Sequence, residues 1–286
     1  MKVRKAVIIA AGRGTRFLPM TRSQPKEMMP LVDKPLIQYG VEEALNSGIT
    51  QIIMVTARGK STMEDYFDRS PELERFLEQK GETQRLKQIK KLSDMVDVCY
   101  VRQKEQLGLG HAILTVKEVV GNEPFAVILP DDIIDSKVPC LKRMCAVYDK
   151  YGAGVIAVER VSDEDTRKYG IIGAKQVDER IYQILNLVEK PDKSWAPSRL
   201  GIVGRYVLTP EIFNALQITP PGTGNEIQVT DALHILLQQQ ELYAYEFEGV
   251  RYDTGTPLGW LKANVALALK RKDMGPELRE YLKKLL

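Results

Sequence analysis

Three stretches of this 286-residue chain carry residue types suited to holding phosphate. The first is Gly12-Arg13-Gly14-Thr15-Arg16, directly after the apolar run at residues 5–11. Glycines let a backbone come close to an anion, and successive free N–H groups form a concavity that binds one. Arg13 and Arg16 add positive charge to that loop. The second is Lys26, set between Pro25 and Pro30, which restrict the chain around it. The third is a set of acids. Residues 125–132 (FAVILPDD) read as a buried strand ending in Asp131 and Asp132, and Tyr252-Asp253-Thr254-Gly255 puts another acid beside a glycine. Carboxylates at the C-terminal end of a parallel strand lie where open α/β sheets bind ligands. Taken alone, two acids at a strand end read equally as a turn or a helix cap.

Rival chemistries fail on spacing. A dinucleotide fingerprint requires a third glycine where Phe17 stands, and an acid near the end of the second strand, which closes on Thr56. A P-loop ending at Gly59-Lys60-Ser61 requires its first glycine where Met54 stands. The Asp-Thr-Gly triplet also occurs in aspartic proteases, but here it comes late in a long α/β chain and leads into a helix. Cys99, Cys140, Cys145, His111 and His234 are too few and too scattered for a zinc site or a disulfide framework. His111 reads as a structural residue.

These groups need a scaffold. The first half alternates apolar strands (residues 5–11, 51–56, 96–101, 125–129) with helices (36–45, 61–67, 110–119, 138–151). A highly charged helical excursion occupies residues 71–92. The β-α-β-α order argues for a Rossmann-like, mostly parallel sheet with helices on both faces. From Gly154 the texture changes to strands at 155–159, 171–177, 181–188 and 202–208, which suggests a mixed or antiparallel extension. Helices return at 211–216, 229–239, 258–269 and 276–286, around a strand at 243–247. No internal repeat or linker composition divides the chain, so one domain over residues 1–286 is expected.

Composition narrows the class. Hydrophobic residues are 44% and charged residues 28%, ordinary for a globular protein. The net charge of +3 is too balanced for a dedicated nucleic-acid binder. No stretch approaches the ~20 apolar residues that span a bilayer. The expectation is a soluble cytoplasmic protein without membrane or nucleic-acid partners.

The run AAGRGTRFLPMTRSQPKEMMPLVDKPLIQY resembles the opening of the sugar-1-phosphate nucleotidylyltransferases, in particular the bacterial members that use UTP and glucose 1-phosphate. The GxGTR loop, the PKEMLPL stretch and DKPLIQY of that family are matched nearly throughout. Arg102-Gln103 followed by LGLGHA, FAVILPDD, Tyr169-Gly170, the VEKP at residues 188–191 and GNEIQVTDA at residues 224–232 follow in the expected order. DTGTPLGW departs from the family's DxGxKLGY at Thr256, Pro257 and Trp260. No hexapeptide β-helix repeat follows, unlike the longer relatives.

The resemblance implies transfer of UMP from UTP to glucose 1-phosphate, or of a deoxythymidylyl group in the nearest rival. A non-catalytic regulatory paralogue is disfavoured because every charged motif position is kept. It assigns Ala11, Gly12, Gly14, Thr15, Gln103 and Gly108 to the nucleotide, with Gln103 reading the uracil. Arg16 and Lys26 would hold the nucleotide phosphates and Lys190 the incoming phosphate. Gly170 and Glu189 would meet the sugar. Asp131 and Asp253 would hold Mg²⁺, with Asp132 the less suited neighbour. Residues 1–150 would bind nucleotide, 151–255 the sugar, and 256–286 form C-terminal helices. A homo-oligomer, dimer or tetramer, is implied.

Overall fold

The computed structural model describes residues 1–285 apart from the Thr223 side chain; Leu286, expected to end the last helix, lies outside them. The described residues form a nine-stranded sheet. Across it the strands run Val98–Arg102, Gln51–Thr56, Lys5–Ile9, Phe125–Ile128, Leu200–Leu208, Gly154–Arg160, Leu242–Glu246, Ile181–Glu189 and Gly170–Asp178. The first four are parallel to their neighbours. Leu200–Leu208 then joins antiparallel to both Phe125–Ile128 and Gly154–Arg160, and the rest of the sheet is mixed. The change of texture after Gly154 is therefore a change to mixed pairing within one continuous sheet: Gly154–Arg160 still runs with the parallel half, and Ile181–Glu189 and Leu200–Leu208 run against it.

Alternation along the strands builds two cores, because successive side chains point to opposite faces. In Lys5–Ile9, Val7 packs with Phe125, Ile113, Phe213 and Leu216 on one face. Ala6 and Ile8 pack with Ile37, Val41, Leu141 and Met144 on the other. Helices Leu36–Asn46 and Cys140–Tyr151 cover this second face, and Ile212–Ile218 with Val229–Leu237 the first.

Three local features depart from the periodicity. Residues 110–119 form two short helices, Leu109–Leu114 and Lys117–Val120, rather than one. The charged excursion is two helices, Pro71–Gln79 and Thr83–Ser93, turned at Gly81 with φ 70°. A separate two-stranded ribbon pairs Asp132–Asp135 with Val250–Asp253, antiparallel, with Asp132 opposite Asp253. That ribbon bears on the site, because it brings the two predicted acid stretches side by side.

Candidate active site

The glycine loop leaves the end of Lys5–Ile9 and opens onto a cleft of about 450 Å³. Gly14 has φ 67°, and a Cβ there would stand 3.0 Å from the Thr21 side chain, whose hydroxyl donates to Gly14 O at 2.8 Å. Among the described residues, none of the N–H groups of Gly12, Arg13, Gly14 and Thr15 donates to a protein acceptor. Side chains hold the loop and the strand end before it. Lys60 Nζ donates to Ala10 O at 2.5 Å, Gln106 Nε2 to Ala11 O at 2.5 Å, and Arg13 Nε to Gln106 Oε1 at 2.6 Å. The amides are thus left without protein acceptors in a loop that lines the cleft, as an anion site requires.

Lys26 rides on the short turn Lys26–Met28, and its ammonium meets Asp131 Oδ2 at 2.5 Å. Burial lowers the Lys26 pKa, but Asp131 and Glu27 outweigh it and the ammonium lies above its ordinary value. Burial likewise pushes Asp131 up, and the Lys26 charge more than reverses it, so the carboxyl lies below the usual range. Glu27 is 1% exposed and pairs with Lys60 at 2.8 Å. Burial raises the Glu27 carboxyl and lowers the Lys60 ammonium against their mutual attraction. This buried pair fixes the turn that aims Lys26.

The loop bearing Asp131 is clamped by two arginines. Arg205 is fully buried in Leu200–Leu208, pairs with Glu43 at 2.7 Å, and donates to Leu129 O at 3.0 Å and Asp132 O at 2.7 Å, on either side of Asp131. A buried guanidinium is tolerable only when its donors are used in this way. Arg251 pairs with Asp132 at 2.6 Å and donates to Glu159 and to the Tyr169 hydroxyl. Asp132 is therefore spent on structure: it faces inward, bound to Arg251 and to the Gly204 N–H. Asp131 alone of the two is left for the cleft. Thr254 donates to Asp131 O through N–H at 2.8 Å and hydroxyl at 2.7 Å, tying the two acid stretches together.

A Cβ built on Gly255 would stand 3.0 Å from Asp253 Oδ1, 3.0 Å from an Arg16 guanidinium nitrogen and 3.3 Å from Asp131 Oδ2. Both carboxylates thus border one small space, which a methyl at Gly255 would crowd. Arg16 donates to Gly255 O at 3.0 Å, closing its edge. An all-oxygen pair suits a hard divalent cation rather than a soft one. Among the described residues no group of three or more His, Cys, Asp or Glu could hold a metal, so substrate and water oxygens would have to complete a shell around these two.

At the other wall of the cleft, Gln103 is buried and its amide nitrogen lies 3.3 Å from Gly108 O and 2.9 Å from His111 Nδ1. Gly108 has φ 95°, and a Cβ there would stand 2.7 Å from Glu226 Cβ. Only glycine fits, so its backbone stays bare beside the cleft.

The expected sugar residues stand apart. Gly170 opens the strand Gly170–Asp178, and a Cβ there would meet the Thr230 hydroxyl at 2.8 Å. Glu189 ends the strand Ile181–Glu189 and Lys190 follows it; the two pair at 3.0 Å and do not line the cleft that holds Arg16, Lys26 and Asp131. Burial raises the Asp231 carboxyl, and the Glu189 charge adds to it.

A model of nucleotidyl transferases matches residues 5–270. The chain belongs to the nucleotidyl transferase family. It is 50% identical to the UTP–glucose-1-phosphate uridylyltransferase of Staphylococcus epidermidis over 284 residues, 99% of each chain. Two solved structures are similar. A UTP-bound UDP-glucose pyrophosphorylase from Acinetobacter baumannii superposes with TM-score 0.93 at 42% identity, covering 99% of this chain and all of that one. A UDP-glucose pyrophosphorylase complexed with UDP-glucose gives 0.87 at 46%, covering 94% of this chain and all of that one. As a nucleotidyltransferase, the chain departs from the family's DxGxKLGY form at positions with visible structural work. Thr256 caps the helix Pro257–Lys270 through its hydroxyl, Pro257 starts that helix, and the Trp260 indole donates to Pro30 O at 2.9 Å. Arg205, Arg251, Glu43, Glu27, Lys60 and Gln106 support this cleft; read from sequence, Lys60 figures only in the rejected P-loop, and none of the six has a role at the site.

Proposed function

We propose that this nucleotidyltransferase moves UMP from UTP to glucose 1-phosphate, releasing pyrophosphate and forming UDP-glucose. The observation that carries the reading is one cleft holding four unpaired amides, Arg16, Lys26, Asp131 and a glutamine poised beside a bare glycine. Full-length likeness to a curated uridylyltransferase supports the choice of substrates.

Glucose 1-phosphate is mostly dianionic at neutral pH, since a phosphate monoester has its second pKa near 6. Its oxygen is already a nucleophile, and no general base is needed. It attacks the α-phosphorus of UTP; the new P–O bond forms as the bond to pyrophosphate breaks. The obstacle is the meeting of two anions, so positioning and charge stabilisation carry the rate. The amides of residues 12–15 and Arg16 receive the β- and γ-phosphates, and Arg16 steadies the departing pyrophosphate. Lys26 leaves Asp131 for the nucleotide phosphates. Lys190 holds the incoming phosphate, and Glu189 with Gly170 meets the sugar. Asp131 and Asp253 would hold Mg²⁺, which supplies charge neutralisation at the phosphates when bound.

The same reading divides the chain into a nucleotide-binding part (1–150), a sugar-binding part (151–255) and C-terminal helices (256–286), and places it in the cytoplasm, where UTP is made. None of the described helices is long and apolar enough to cross a membrane. It includes a homo-oligomer, for which exposed Leu258, Leu261 and Val265 on Pro257–Lys270 offer a contact.

The test is pyrophosphate release with Mg²⁺ over UTP, dTTP, ATP and GTP against glucose, galactose and N-acetylglucosamine 1-phosphates. Dominant UTP–glucose turnover abolished by EDTA supports the proposal. Dominance of another pair moves the specificity, and silence throughout rejects catalysis.

A further inference from the structure

Gln103 is 4% exposed, and its amide is held from two directions. Gly108 O lies 3.3 Å from Nε2, and a carbonyl oxygen only accepts, so the group facing it is the NH₂ and not the amide oxygen. The second amide hydrogen then points at His111 Nδ1, 2.9 Å away, which must offer a lone pair. The imidazole is therefore neutral, with its proton on Nε2. Both amide hydrogens are used inside the protein. Oε1 accepts from no described residue, and it is the atom left to the cleft that Gln103 lines.

We propose that His111 is a positioning residue that sets which pyrimidine the cleft accepts, by locking Gln103 with its acceptor toward the base. The inference rests on the reading of Gln103 as the base contact. Uracil carries N3–H and can donate to Oε1. Cytosine in the same pose carries a lone pair at N3 and meets another lone pair. A locked oxygen selects uracil; a free amide could turn its NH₂ to cytosine. Thymine shares the N3–H, so the lock sorts UTP from CTP and does not sort UTP from dTTP. The device needs only helix Leu109–Leu114 to carry an acceptor in its first turn, one that the short bond from Gln103 can reach.

The experiment is steady-state kinetics of the full-length chain with Mg²⁺, glucose 1-phosphate and UTP, dTTP or CTP. It compares the unsubstituted chain with His111→Leu and His111→Asn. The asparagine oxygen can replace Nδ1 as an acceptor; leucine cannot. His111→Leu should raise KM for UTP and dTTP alike by about tenfold and leave kcat within about twofold, while UTP-over-CTP preference in kcat/KM falls about tenfold. His111→Asn should restore most of that preference. His111→Met replaces the leucine variant where thermal melting shows the latter misfolded. Unchanged preference in the leucine or methionine variant overturns the lock alone, as does equal impairment of the asparagine variant, which would make the effect one of packing. An unsubstituted chain that uses CTP as well as UTP overturns the uridylyl reading and the lock together.

Discussion

On the nucleotide side of the cleft, Lys26 already touches Asp131 at 2.5 Å, Arg16 reaches Gly255 O at 3.0 Å, and Asp131 and Asp253 border one space. On the side proposed for the sugar, Lys190 is 53% exposed and its ammonium rests on the neighbouring Glu189. Lys190 also has φ 45°, a left-handed conformation costing a non-glycine residue about 1–3 kcal/mol, held by its N–H to Tyr169 O at 3.1 Å. The first side is built on the parallel strands and a buried network of Glu27–Lys60 and Glu43–Arg205 pairs. The second hangs on the end of Ile181–Glu189, in the mixed part of the sheet. A charge already compensated inside a rigid frame costs little to present to a ligand, whereas an exposed long side chain loses rotamer freedom when it is used. On the proposed roles, the half that would bind the nucleotide is preorganised, and the half that would bind the sugar is not.

Four substitutions can break or sharpen that contrast. Asp131→Asn removes the carboxylate common to Lys26 and the proposed Mg²⁺. Turnover should fall about 10³-fold with a weakened Mg²⁺ dependence. An unchanged metal titration would count against the site. Glu27→Leu strands the Lys60 ammonium in the interior, and denaturant unfolding should show a loss of about 3 kcal/mol. A loss well under 1 kcal/mol would mean that Ala10 O alone satisfies Lys60 and that the frame is less dependent on the pair than its burial suggests. Lys190→Ala should lower kcat about 10²-fold while KM for UTP stays within about twofold, because the proposal gives Lys190 only the second substrate. Near-normal turnover would remove Lys190 from the mechanism. Gly255→Ala puts a methyl between Arg16, Asp131 and Asp253. It should raise the Mg²⁺ needed for half-maximal rate about tenfold with an unchanged melting temperature, the scale of one weakened electrostatic contact. No change would show that the space between the carboxylates is not the metal's.

Much of this arrangement was legible in the residues. The apolar runs gave the strands of the parallel half nearly to the residue. The loop of residues 12–16, Lys26 and the two acid stretches are brought to one cleft, with Asp131 rather than Asp132 facing it. What escaped did so for physical reasons. The ribbon of Asp132–Asp135 with Val250–Asp253 is four residues on each side, more than a hundred positions apart in the chain, and rich in charge, so it has no periodic signature. Arg205 sits in a strand buried throughout, where an arginine is improbable until Glu43 is known to face it. Glu27 carries no signal of its burial in the sequence; it is inside because Lys60, at the start of the helix Ser61–Phe67, meets it there. His111 read as structural because nothing near it in sequence pairs with it. Its partner, Gln103, is eight residues away across a loop that must first fold over Gly108.

The contrast between the two halves is tested most directly by calorimetry on the full-length chain with Mg²⁺. UTP should bind the free protein, while glucose 1-phosphate alone should give no measurable heat and bind only once a non-hydrolysable UTP analogue is in place. Binding of glucose 1-phosphate to the free protein as tight as that of UTP would contradict a preassembled nucleotide half and an unassembled sugar half.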